Sequence, residues 1–223
     1  MDIIFEDEHL IVVNKAPGEL AQADKAGSSS LVDKLKIHFR EEGSAVDPFC
    51  GVVHRIDRPT SGVVIYAKTP ETLEALNEQF RTQQNHKTYW AVVEKEPLEQ
   101  KETLTHWLKK EEKQNKSFYF SEEVKGSKKA VLDYEVLAKS DRYFLLEIKL
   151  KTGRHHQIRS QLSAIACPIK GDLKYGAKRS NKDGSIHLHA RSLQFQHPVT
   201  KKEMTYVAPV PQEVLWRFFE DKL

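Results

Sequence analysis

Residues 51–67 read GVVHRIDRPTSGVVIYA. Two β-rich runs, 51–55 and 63–67, enclose a polar segment, 57–62, that contains Pro59 and Gly62. The pattern predicts two strands with a tight, polar connection between them, held at the end of a sheet. Upstream, 3–5 and 10–13 read as strands around the acidic turn Glu6-Asp7-Glu8. Ser30 then caps a predicted helix over 31–41, with Leu31, Leu35 and Phe39 along one face. Downstream, Thr69 as cap and Pro70 at the first helical position open a second helix, with Leu73, Leu76 and Phe80 at helical spacing.

Residues 88–93 return as a strand, and 130–137 with 143–150 form a predicted strand pair around Ser140-Asp141. A helix follows Gly153, with Ile158, Leu162 and Ile165 on its apolar face. Ile186, Leu188 and Ala190 alternate with His187 and His189, which predicts a strand whose histidines form an exposed polar face. Further β pattern covers Leu193, Phe195 and 204–207, and a short helix covers 214–219. Strands and helices do not alternate regularly. The expectation is therefore an α+β fold, a mainly antiparallel sheet with flanking helices, in one domain spanning 1–223. Residues 94–123 are charged and weakly patterned, and are expected to be a peripheral insertion.

Composition narrows the function classes. The chain has 223 residues, 39% apolar and 30% charged, which suits a protein with a real core. No run approaches the ~20 apolar residues of a membrane span. The opening MDIIFEDEHL lacks the features of a secretory signal. Cys50 and Cys167 are too few for a disulfide framework or a four-cysteine zinc site. A cytoplasmic monomer without membrane contact is expected. Net charge is only +3, but residues 124–202 hold 17 Lys/Arg against 6 Asp/Glu. Such a block fits either a phosphate-rich partner or a lysine-rich solvated face.

Three constellations carry chemistry. Asp57 lies between Arg55 and Arg58 before the Pro59–Gly62 turn, where cations favour the ionised carboxylate. By themselves these residues also fit an ion pair stitching a loop. Lys87-Thr88-Tyr89 stands on a strand, where a tyrosine usually serves packing. Thr152-Gly153-Arg154-His155-His156-Gln157-Ile158-Arg159 combines a glycine-led helix start with arginines, a natural anion site. The pairs Cys50/His54 and His187/His189 supply too few ligands for a four-coordinate metal, so no metal site is expected. No phosphate-binding loop or dinucleotide fingerprint is present.

Together these segments resemble the RluA-type pseudouridine synthases. HRIDRPTSG (54–62) is similar to that family's catalytic His-Arg-Leu-Asp…Thr-Ser-Gly segment, with Ile56 in place of leucine. Lys87-Thr88-Tyr89 is similar to its Lys-x-Tyr motif. Residues 153–159, followed by Pro168-Ile169-Lys170-Gly171-Asp172 and Tyr175-Gly176, resemble its third motif. Gln161 stands where histidine is frequent, and Ala166 where glycine is usual before Cys167-Pro168. The small basic domain that often precedes the catalytic part has no counterpart here.

The resemblance implies a pseudouridine synthase-like catalytic fold and an isomerase that converts uridine to pseudouridine in ribosomal or transfer RNA without a cofactor. It assigns Asp57 as the essential aspartate, Tyr89 as the ring stacking on the target base, and Arg159 as the cation pairing with Asp57. Arg55 is the residue entering the space left by a flipped uridine. Ile158, Arg154, His156 and Gln157 fall on the substrate side. Two rivals remain at this level: a non-catalytic RNA-binding module of the same fold, and a glycoside hydrolase. The hydrolase normally requires a second carboxylate, and none occurs in the three motifs.

Overall fold

The computed structural model describes residues 1–24, 26–43 and 47–223. In chain order its elements are β1 (Asp2–Glu6), β2 (Leu10–Lys15), α1 (Leu31–Glu41), β3 (Gly51–Val52), β4 (Ser61–Ala67), α2 (Pro70–Arg81), β5 (His86–Val93), β6 (Lys101–Glu111), β7 (Lys116–Phe120), β8 (Lys128–Lys139), β9 (Phe144–Leu150), α3 (Gln157–Ala164), β10 (Leu188–Gln196), β11 (Glu203–Val207) and α4 (Val214–Glu220). A 3-10 turn covers Leu173–Tyr175. The fold is α+β, and its registered strand pairs are antiparallel. Among the described residues, no helix is long and apolar enough to cross a membrane. The chain divides into two units, Met1–Lys87 with Ala190–Pro211, and Thr88–His189 with Gln212–Leu223.

In the first unit the strand order is β1-β2-β4-β10, with β11 on β10 and β3 on β4. Every residue of β4 is buried, as are four of the first five of β2. Their Val/Ile runs are thus core strands, each buried side chain contributing about 1.5–3 kcal/mol. In α1, Leu31, Leu35 and Phe39 are buried as the spacing predicts, and the Asp33 carboxylate accepts from the Ser30 N–H and hydroxyl at its start. In α2 the Thr69 hydroxyl accepts from the Thr72 N–H. Its buried face is Thr72, Leu76 and Gln79, whereas Leu73 and Phe80 are half-buried flanks.

β3 is shorter than the predicted 51–55. It pairs Gly51 with Ala67 and Val52 with Tyr66, then leaves β4. The next β4 amide, Ile65 N–H, donates to the His54 ring instead, 3.3 Å from Nε2. A side chain thus takes over the acceptor role of the strand, releasing the backbone into the loop that carries Asp57. Gly62, at φ +116°, stands at the other end of that loop. A Cβ there would lie 2.3 Å from the Ala190 carbonyl oxygen, so only glycine allows this approach of β4 to β10.

In the second unit the order is β5-β9-β8-β6-β7. The weakly patterned segment 94–123 therefore supplies two strands, and Leu104 and Leu108 of β6 are core residues. α3 packs on β6 and β7. It begins at Gln157, four residues after the expected glycine, because His156 adopts a left-handed conformation at φ +51°. Gly153 consequently heads no helix, and the glycine-led anion site is absent. His187 and His189 also depart from expectation. Both are buried, with their rings 5.2 and 5.8 Å from the Trp216 ring of α4. Alternation marked their shared side correctly, but α4 covers that side.

α3 ends in a two-bond cap, Cys167 N–H to Leu162 O at 2.9 Å and Ala166 N–H to Ser163 O at 3.0 Å. The cap requires a left-handed residue, and Ala166 supplies it at φ +58°. Its Cβ makes that conformation costly, offset in part by the freedom a glycine would gain in the unfolded chain. Ala166→Gly is expected to stabilise the protein by about 0.5–1 kcal/mol, read as a rise in the urea midpoint at constant slope.

Candidate active site

The loop between β3 and β4 holds Arg55, Asp57 and Arg58. Asp57 O accepts from Thr60 N–H at 3.0 Å, closing the turn over Arg58 and Pro59. The Arg58 peptide is fixed twice. Its carbonyl accepts from Gly18 N–H at 2.8 Å, and its Nε donates to Gly18 O at 3.0 Å. Lys15 completes the clamp from the end of β2. Its Nζ, fully buried, donates to the carbonyls of Ala16 (3.0 Å), Glu19 (2.9 Å) and Arg58 (3.2 Å).

Burial pushes the Lys15 ammonium down to about 8, against the raising pull of the Glu19 and Asp57 carboxylates and with repulsion from Arg58. A lysine charge thus stands within electrostatic reach of Asp57. His54 stacks on Phe80 at 5.0 Å. Burial, aided by Lys87, lowers its pKa to about 3 and keeps it a neutral acceptor for the Ile65 amide. Beside this loop opens a cavity of about 620 Å³ whose lining includes Gln22, Asp33, Cys50 and Arg55. Burial pushes the Cys50 thiol up to about 12, so it is no nucleophile at neutral pH.

The other candidate residues lie in the second unit. Arg159 is buried, not the surface charge its place on a helix flank suggests. Its Nε donates to Asp172 Oδ2 at 2.7 Å and its Nη2 to Asp172 Oδ1 at 2.8 Å, with Asp172 only 1% exposed. The guanidinium carbon lies 5.0 Å from the Tyr175 ring centre. Tyr175 accepts from Ser117 N–H at 2.8 Å and lies 3.0 Å from His156 Nδ1. Burial, with repulsion from Arg159, drives the His156 pKa down to about 2, so that ring is neutral.

Gln157 is committed to the fold. Its Oε1 accepts from the Thr152 hydroxyl and the Arg154 amide, and its Nε2 donates to Val131 O. These bonds make it a brace for the loop 152–154. Arg154 is exposed, Ile158 is buried, and Tyr89 is buried on β5 opposite Ile148 of β9. Asp172 and Tyr175 stand in the third motif with no role of their own read from it. Their signal was the motif itself, since no local pattern pairs residues 13 apart.

The first unit thus carries a carboxylate on a clamped loop beside two arginines, and the second carries a buried arginine held by a carboxylate. A family model described as RNA pseudouridylate synthase matches residues 9–164. A tRNA pseudouridine synthase C of Pectobacterium carotovorum subsp. carotovorum is 34% identical over 93% of this chain, which spans 58% of that relative's length. The large-subunit pseudouridine synthase D of Xylella fastidiosa is 32% identical over 96% of the chain and 67% of its own. A tRNA pseudouridine synthase C of Vibrio parahaemolyticus is 32% identical over 100% of the chain and 96% of its own. The solved structure of human RNA pseudouridylate synthase domain-containing protein 4 superposes with a TM-score of 0.81 at 25% identity, covering 99% of this chain and 93% of that one. The chain belongs to the RNA pseudouridylate synthase family.

Two predictions follow from the geometry. If charged Lys15 supports Asp57, the single-turnover rate falls as pH rises through about 8. Stability moves the other way. Between pH 8 and the ordinary lysine value of 10.5 the unfolded chain holds more protons than the folded one, so the Lys15 contribution rises with pH across that window and is lost on descent through 8. Lys15→Met should be slower below about pH 8, converge with the unmodified protein above it, and lack both effects, read by rate and urea titrations.

The Arg159–Asp172 pair gives the second. Asp172→Ala removes two charge-assisted bonds from a buried guanidinium and should cost about 3–5 kcal/mol, whereas the apolar double replacement Arg159→Met/Asp172→Leu should recover most of it. Pseudouridine formation should remain lost in that double variant. Recovery of turnover would make the pair structural only.

Proposed function

We propose that this protein isomerises specific uridines to pseudouridine in structured RNA, ribosomal or transfer, as a cytoplasmic monomer and without a cofactor. The observation that carries the reading is Asp57, set on a loop whose backbone is clamped by Lys15 and Gly18 and which bears Arg55 and Arg58. The reaction breaks the N1–C1′ bond of uridine and forms a C5–C1′ bond. The C5 proton leaves and N1 gains one, so composition is unchanged and neither an oxidant nor a group donor is needed.

Asp57 acts either on the anomeric carbon or on the neighbouring ribose proton. Tyr89 stacks on the target base, and buried Ile158 offers an apolar wall. Arg159, already held by Asp172, is the cation the family motif assigns to the catalytic carboxylate. The target uridine has to leave its stack to be reached, and Arg55 fills the space it vacates. Exposed Arg154 contributes a phosphate contact, and His156 keeps its motif place by shaping the Arg159 surroundings through Tyr175. The names of relatives support RNA as the substrate; the two RNA classes among them are both retained.

The test is Asp57→Asn, which keeps the shape and removes charge and basicity. It should abolish pseudouridine formation, measured by mass-labelled digestion of the RNA, while melting temperature and RNA affinity hold. Turnover within about 10-fold of the unmodified protein would remove Asp57 from the chemistry. Binding of RNA with no pseudouridine formed by the unmodified protein would favour a non-catalytic binding module.

A further inference from the structure

The β6–β7–β8 part of the second unit presents two unlike faces. One, with Leu104, Leu108, Ala130, Leu132 and Ser117, is buried and carries α3. The other follows from the register. Trp107 stands opposite Phe120 on β7 and Lys129 on β8, and Lys109 stands opposite Phe118. Directly opposed residues share a face, so three aromatic rings and two lysines form two adjacent rungs. Rungs two residues apart are about 7 Å apart along the strand.

These groups are accessible and their charges are uncommitted. Phe118 is 39% exposed, Trp107 and Phe120 are half-buried, and Lys109 and Lys129 are exposed. Lys129 Nζ stands 5.9 Å from the Trp107 ring centre, and Lys116 Nζ stands 5.4 Å from that of Phe118. Among the described residues, Lys109, Lys116 and Lys129 carry no ion pair. Further along the same strands the charges are neutralised, by Lys101–Glu135 and Lys151–Asp133. These unpaired lysines therefore lie beside the aromatic rungs.

We propose that this outer face is a stacking platform for an unpaired stretch of the RNA substrate. Bases lie on Trp107, Phe118 and Phe120, while Lys109 and Lys129 contact the phosphates between them. Flat rings interleaved with lysines accept any base and read charge, which is how single strands are held without sequence preference. A duplex hides its base faces and gains only the lysine contacts. The inference deepens the proposed function, and rests on it in naming the substrate RNA as the occupant.

Binding alone tests the platform, so its failure is separable from failure of the catalytic reading. Trp90 and Trp216 are buried at 7% and 3% exposure, leaving Trp107 as the tryptophan a ligand can reach. An unstructured RNA dodecamer should quench its fluorescence, and the same dodecamer in duplex should not. Trp107→Ala/Phe118→Ala should weaken dodecamer binding by about tenfold or more. Lys109→Glu/Lys129→Glu should weaken it too and lower the salt slope by about 1.4, the share of two single-strand phosphates.

For both variants the single-turnover rate at saturating RNA should stay within about twofold of the unmodified protein, and melting curves should be unchanged. Affinity and quenching equal to the unmodified protein in the aromatic variant would overturn the proposal. So would a concentration-dependent dimer of the unmodified protein that the aromatic variant dissolves without losing RNA affinity, which would make the face a contact between copies. Intact quenching and binding without any pseudouridine formed would keep the platform and remove the catalytic assignment.

Discussion

A buried ammonium has to find oxygen. Lys15 lies at the end of a core strand with no exposed surface, and the cost of holding its charge there is met by three backbone carbonyls. Two of them, Ala16 and Glu19, shape the turn after β2. The third belongs to Arg58, one residue past Asp57. A requirement for solvation thereby fixes the distance between two loops that are 43 positions apart in the chain. Gly18 adds its own pair of bonds to Arg58, and the loop reaches Gly62 already set, at the one residue small enough to meet Ala190.

The second unit solves the same problem with a side chain. Arg159 cannot shed its proton, so it is buried only with a carboxylate matched to its fork, and Asp172 provides both oxygens. The guanidinium plane is then fixed by two bonds, and Tyr175 covers it. Beside it, burial keeps His156 neutral across the physiological range. Charges held by neutral supports suit the proposed isomerisation, which moves a proton at one carbon and one nitrogen.

Much of the scaffold was legible because burial follows period. The Val/Ile runs of β2 and β4 and the Leu31-Leu35-Phe39 stripe fall where their spacing places them. What escaped was non-local. His54 replaces a strand acceptor only because Ile65 lies beside it, and His187 and His189 turn inward because Trp216 arrives from the far end of the chain. β6 was obscured by its wet face, although Leu104, His106 and Leu108 alternate as a strand should. Of the candidate site, the motif order nominates Asp57, Tyr89 and Arg159. The Lys15 clamp and the Asp172 partner needed coordinates, because a lysine ending a strand and an aspartate after glycine both read as surface residues.

β7 closes its sheet on one side, and beyond it no strand of that unit follows. An open strand offers unpaired amides and carbonyls to any passing chain, and apolar rings beside it make the offer stronger. Lys116 stands on that strand, and its charge disfavours another strand laid alongside. A charge at an open strand guards it against pairing with another chain. Gatekeeping of this kind constrains how far the hairpin can drift in sequence.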